Sequence, residues 1–190
     1  MGTVLLAALL AISIVVEREG QYRFEHLGGG NQARALVLFH PSRDAHFSDE
    51  LSQALGNGLK QAGLSVDRAT LTNLTPAEPK GYVLIAVVSN TYYWTPDIPT
   101  LRYLGRARFG ATPVIGLIGG GGATARSQRM LDAALRQAGG RVLQTRSFWI
   151  LRPNVETRLH EPNRKVALDL ARQFGATAGR NALGASANPP

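Results

Sequence analysis

Apolar residues along this chain fall into short unbroken runs, separated by segments in which they recur every three or four positions. Ala35 to Phe39, Tyr82 to Val88 and Pro113 to Ile118 are continuous runs, as expected of strands buried on both faces. Leu64 to Leu71 is more polar and reads as a strand near a sheet edge, while Arg141 to Leu151 supplies the last strand. Between these runs the period changes. Phe47, Leu51, Leu55 and Leu59 are spaced by four, which predicts an amphipathic helix stopped by Gly63. Ile98 to Arg108 is a short helix that carries Pro99 in its first turn, where proline is tolerated. Thr124 to Ala138 places Met130, Leu131, Ala134, Leu135 and Ala138 on one face and Arg126, Arg129, Asp132 and Arg136 on the other. Pro162 to Phe174, built on Val166, Leu170 and Phe174, is the last helix. The link through Thr75-Pro76 and Pro79 is too short and proline-broken for a long one. Strand and helix alternate throughout, so the expected class is α/β: a five-stranded parallel sheet with helices on both faces.

The ends read differently. Val4 to Val16 is uncharged and apolar all round, but its thirteen residues fall short of the roughly 20 that a spanning helix needs. No Lys or Arg precedes it and no A-x-A site follows, which argues against a secretory signal. Residues 1–16 are read as a membrane anchor with an apolar N-terminal helix; a signal or a buried core element are the other readings. Arg18, Arg23 and Arg34 lie behind the segment, so the positive-inside bias leaves the folded part on the cytoplasmic side, with export the alternative. Residues 17–34, ending in Gly28-Gly29-Gly30, read as a flexible tether. The domain proper is then 35–175, and residues 176–190 are a small, polar, flexible tail.

Charge narrows the partners. Twenty-one Lys and Arg against thirteen Asp and Glu give +8, spread over the domain and not gathered in a tail. A broadly basic surface favours anionic partners. No aromatic-basic repeat of the RNA-binding kind is present, so nucleic acid is not expected. The absence of cysteine excludes disulfides, thiol catalysis and cysteine-ligated metal. The four histidines show no zinc spacing, so no metal site is assigned.

Candidate chemistry lies in three loops that each follow a buried strand: Phe39 to Ser48, Ser89 to Pro99 and Gly119 to Thr124. In a doubly wound sheet of order 2-1-3-4-5 all three emerge at one edge, around the switch point where ligands bind. The first loop precedes a helix N-terminus. The second carries Tyr92, Tyr93 and Trp94 side by side, a surface suited to a planar ring. The third is Gly119-Gly120-Gly121-Gly122, bare backbone. Gly120-x-Gly122-x-x-Ala125 also fits a dinucleotide fingerprint formally, but it sits on a late strand with no acid about 20 residues on. No lysine follows the glycines, which excludes a Walker A loop.

In this arrangement the chain resembles the flavodoxin-like family of FMN-binding domains, of the membrane-anchored bacterial type, over roughly Ala35 to Arg152. The family's second loop, S-P-x-Y followed by small residues and prolines, is matched by Ser89-Asn90-Thr91-Tyr92 with Pro96 and Pro99. Its glycine-rich third loop is matched by Gly119 to Gly122. The resemblance implies FMN as cofactor. Ser42, Arg43, His46 and Ser48 would then face the phosphate, while Asn90, Thr91, Tyr92, Tyr93 or Trp94 would take the ring. The backbone of Gly119, Gly120, Gly121 and Gly122 would meet the ring edge. It further implies electron transfer, or quinone or NAD(P)H-type reduction, with a redox partner protein or a small acceptor, at a membrane reached through the N-terminus. No residue stands out as a general acid or base. The departures lie in the first loop, where Asp44 and Ala45 interrupt the usual Ser/Thr/Gly composition and Asp49 and Glu50 occupy the next helix's first turn. Acids there favour an empty helix end and oppose a phosphate. They point to the alternative, a flavin-free member of the fold that binds a small ligand or a partner. Arg126 or Arg141 near a 2′-phosphate is a further option, for NADPH-dependent reduction.

Overall fold

A computed structural model describes residues 20–30, 33–41 and 46–187. The proposed N-terminal anchor, residues 1–16, and the phosphate-loop residues Ser42 and Arg43 lie outside the described residues. Among the described residues no helix is long and apolar enough to cross a membrane.

The strands are β1 (Phe24–Gly28), β2 (Arg34–Phe39), β3 (Ser65–Thr70), β4 (Leu84–Tyr92), β5 (Thr95–Pro96), β6 (Pro113–Gly120) and β7 (Arg141–Trp149). The helices are α1 (Phe47–Gln61), α2 (Ile98–Arg106), α3 (Ala125–Gln137) and α4 (Asn163–Ala187), with a single 3₁₀ turn at Glu156–Arg158. The sheet runs β1-β3-β2-β4-β6-β7, and β5 pairs only with β4. Strands β3-β2-β4-β6-β7 are all parallel, and numbered along the chain they stand in the order 2-1-3-4-5.

The continuous apolar runs bury both faces. Ala35, Val37 and Phe39 of β2, with Leu84, Ala86 and Val88 of β4, pack under α1 and α4. Leu36, Leu38, Ile85 and Val87 pack on the other face, with Tyr103 and Leu104 of α2 and Leu131 and Leu135 of α3. The four-residue spacing in α1 sends Leu51, Leu55 and Leu59 into the first of these layers, each fully buried. Each contributes about 1.5–3 kcal/mol.

Four expectations are corrected. The sheet has seven strands and is mixed, not five-stranded and parallel, because β1 adds antiparallel to β3 and β5 folds back antiparallel on β4. Phe24 to Gly28 therefore belongs to the sheet, although residues 17–34 read as a tether, and β3 is an inner strand. The polarity of β3 has a different cause from edge exposure. Asp67 receives Tyr82 Oη at 2.9 Å, His26 Nδ1 at 2.8 Å and the Arg34 guanidinium. Burial by itself would raise the Asp67 pKa, but these donors outweigh it and hold the carboxyl below its usual range. Arg68 donates to Ser52 Oγ at 2.8 Å, pairs with Glu25 and Asp49, and lies 3.9 Å over the Phe39 ring.

Lastly, α4 continues well beyond residue 175, where a flexible tail was expected. Ala171, Ala178 and Ala182 are buried against α1 in the core. A methyl added at Gly58 of α1 would collide with the Arg172 carbonyl, and one at Gly175 of α4 with the Leu55 carbonyl. The small residues let two helix backbones approach closely. They mark an interface, not disorder.

Candidate functional site

The loops after β2, β4 and β6 meet at the carboxyl edge of the sheet, held by a buried polar cluster around Asp97. One Asp97 oxygen accepts from Ser89 Oγ at 2.8 Å and the Asn90 N–H at 2.7 Å. The other caps α2 by accepting from the Thr100 N–H at 2.9 Å, and lies 3.5 Å from His40 Nδ1. The His40 carbonyl accepts from Asn90 Nδ2 at 3.2 Å and from Ser48 Oγ at 2.6 Å. His40, Ser48, Ser89, Asp97 and Thr100 have no solvent exposure. Sequence reasoning missed Asp97, although an acid directly before Ile98-Pro99 carries a helix-cap signature.

Asn90, Thr91 and Tyr92 of β4, Gly119, Gly120 and Gly121 at the end of β6, Phe47 and Ile150 together line a cleft of about 60 Å³. Among the described residues Thr91 Oγ1 is buried without a hydrogen-bond partner. A buried hydroxyl left unpaired is costly, by about 1–3 kcal/mol. The glycines are needed for close approach: a Cβ at Gly119 would lie 3.0 Å from Leu51, and one at Gly120 would lie 3.2 Å from Thr91.

The aromatics divide between two places. Tyr92 pairs with Thr95 across a two-residue turn, in which Tyr93 has φ 48° and Trp94 has φ 62°. Positive φ at both positions defines the type I′ hairpin turn, normally made by Asn-Gly. Here two bulky side chains occupy it, each at a cost of roughly 1–2 kcal/mol, and both stand exposed, at 48% and 58%. Strain stored on solvent-facing aromatics points to function and not to packing. Tyr92 borders the cleft. Trp94 turns with Gly122 to an adjoining groove.

The phosphate-side residues are less concordant. Ser48 is within α1, and its one hydroxyl proton is given to the His40 carbonyl, so it neither caps α1 nor donates to a ligand. His46 is the exposed residue at the α1 start, with φ 56° and no side-chain cap. Asp49 and Glu50 do occupy the first turn, but each is neutralised: Asp49 by Arg68, Glu50 by Arg164 at 2.7 Å. Of the residues singled out from sequence, the fold therefore gathers Asn90, Thr91, Tyr92, Gly119, Gly120 and Gly121 at one cleft. Gly122, Tyr93 and Trp94 stand beside it, His46 at the start of α1, and Ser48 faces inward.

No family model matches this chain, and no curated protein matches its sequence. Solved structures do match its fold. A flavodoxin from the domain Archaea superposes with a TM-score of 0.61 at 14% identity, over 79% of this chain and 99% of that one. Oxidised Flavodoxin 1 from Bacillus cereus gives a TM-score of 0.59 at 11% identity, over 77% and 97% of the two chains. An NAD(P)H:quinone oxidoreductase from Methanothermobacter marburgensis gives 0.53 at 15% identity, over 77% and 98%. The chain has a flavodoxin-like fold.

Proposed function

We propose that this flavodoxin-like chain is a flavin-binding redox module that holds FMN at the carboxyl edge of its sheet. The observation that carries this reading is the cleft lined by Asn90, Thr91, Tyr92 and the glycine run, where Thr91 has a buried hydroxyl with no hydrogen-bond partner among the described residues. A planar heteroaromatic ring offers an acceptor to that hydroxyl, and backbone without side chains lets a ring edge come close. A cleft of about 60 Å³ takes an edge and not a whole three-ring system. Tyr92, and Tyr93 in the strained turn, supply the faces on which the rest would stack.

Asn90, Thr91, Tyr92 and the backbone of Gly119 to Gly121 would hold the ring end. His46, with Ser42 and Arg43, would hold the phosphate at the start of α1, where the paired Asp49 and Glu50 oppose it less than free acids would. A bound flavin supplies one- and two-electron chemistry; the protein supplies binding, orientation and electrostatics. The buried Asp97 cluster keeps the first two loops in register, so the rim is preorganised. A redox partner protein or a small-molecule acceptor, and attachment to a membrane through residues 1–16, complete the proposal; the basic surface suits anionic lipid or an acidic partner.

A flavin-free module for a small ligand or a partner is the second reading, favoured by the narrow cleft and by the inward-facing Ser48. The purified full-length chain separates the two. Yellow protein that releases FMN on denaturation supports the flavin reading. Colourless protein that leaves the spectrum of added micromolar FMN unchanged establishes the second.

A further inference from the structure

Beside the cleft, across the glycine run, lies a larger groove of about 420 Å³ whose walls include Trp94, Trp149, Arg126, Arg129 and Arg152. The composition is unusual for this surface. Both tryptophans of the chain are here. Trp149 is fixed: its indole N–H donates to Thr124 Oγ1 at 2.8 Å, and the Arg152 guanidinium stacks 4.3 Å above its ring. Trp94 is the exposed aromatic face, held out by the strained turn.

The cations are available. Arg126 and Arg129 are exposed and have no carboxylate partner among the described residues, whereas Asp132, the acid of the same helix, is taken by Arg136 at 2.9 Å. The groove also faces the start of α3. That start has no acid in its first turn and no side-chain cap, in contrast to α1, with Asp49 and Glu50, and α2, capped by Asp97. An arginine pair over uncapped backbone N–H groups is an anion site. An exposed indole face next to it takes an aromatic base.

From this we infer a second binding site: the groove binds a nucleoside diphosphate, with its base on Trp94 and its phosphates on Arg126, Arg129 and Arg152. Three guanidinium groups suit two or three negative charges, and Arg152, already stacked on Trp149, presents its free N–H edge. A free nucleoside diphosphate and the diphosphate half of a pyridine dinucleotide share this chemistry. The site is independent of whether flavin occupies the neighbouring cleft.

The test uses tryptophan fluorescence of the full-length chain, which reports on this groove alone because both indoles line it. ADP should quench it and bind at least about tenfold more tightly than adenosine or inorganic pyrophosphate. R126A/R129A should weaken ADP binding by at least about tenfold, W94A, read by calorimetry, by about fivefold, and R141A, a charge at the far end of β7, should change nothing. R129Q, with an exposed and conservative change, guards against a misfolded double variant and should lose several-fold. NADPH binding much more tightly than ADP would identify a dinucleotide as the source; equal affinity would identify the free nucleotide. Unchanged ADP affinity in R126A/R129A, pyrophosphate binding as tightly as ADP, or stoichiometric displacement of ADP by FMN each overturns the proposal. Because the readout needs no flavin, colourless protein that leaves the spectrum of added FMN unchanged yet binds ADP would refute the flavin reading and leave this one standing.

Discussion

The Tyr93-Trp94 turn carries much of the functional argument, and it can be tested without any ligand. Trp94 has φ 62°, where a Cβ costs roughly 1–2 kcal/mol relative to glycine. Replacing it by Gly and, separately, by Ala removes the same indole, so burial and stacking cancel in the comparison. Glycine gives back about 0.4–1 kcal/mol through the greater entropy of its unfolded chain. W94G should therefore be the more stable of the two by about 1 kcal/mol, or about 2–4 °C in melting temperature for a chain of this size. At an ordinary extended position the order reverses, so alanine and glycine at Thr95 serve as the internal control. Thermal unfolding followed by circular dichroism measures both pairs. If W94A melts at or above W94G, the turn is not left-handed at this position, and the case for stored strain fails.

The α1–α4 contact gives a sharper contrast. G58A should lose about 2 kcal/mol, since the collision with Arg172 outweighs the roughly 1 kcal/mol of helix propensity that alanine adds. G105A, in α2 with nothing within 4 Å of its added methyl, should instead gain about 0.5–1 kcal/mol in urea unfolding. E50Q removes an acid from the first turn of α1 and should tighten FMN binding about two- to fivefold, from a dipole term of about 0.3–1 kcal/mol; unchanged affinity would place the phosphate elsewhere. The Arg158 and Lys165 hydrogen bonds draw the Glu161 carboxyl down to about 2. A depressed folded pKa gives stability that is present above the unfolded value and lost as pH falls toward the folded one. The urea midpoint should thus decline from about pH 4.5 down to about 2, and less steeply in E161Q.

What the sequence disclosed follows from burial. Ala35 to Phe39 and Tyr82 to Val88 read as strands because both their faces are covered, and α1 reads as a helix because its leucines recur every fourth residue. That alternation implies a parallel sheet; the order 2-1-3-4-5 and the meeting of the three loops follow from the doubly wound arrangement and not from the pattern itself. Phe24 to Gly28 was opaque: its stability comes from Glu25 and His26 meeting Arg68 and Asp67, distant residues that no local pattern announces. The end of α4 was opaque for a related reason, since glycine and alanine mark either flexibility or close helix contact, and only the partner decides. The turn at Tyr93-Trp94 lacks the Asn-Gly pair that signals its type. Ser48, lying just after a polar loop, resembles a ligand donor, yet the His40 carbonyl claims its proton. At the glycine run, the sequence anticipated bare backbone but not the split into a cleft at Gly119 to Gly121 and a groove at Gly122.

The most direct measurement of the central claim is an FMN titration of the purified chain, followed by flavin fluorescence, in parent and T91V. Saturable one-to-one quenching at micromolar concentrations or below, weakened several-fold when the buried Thr91 hydroxyl is replaced by an isosteric methyl, is the predicted outcome. Absence of quenching, or equal affinity in T91V, would contradict a flavin seated at this cleft.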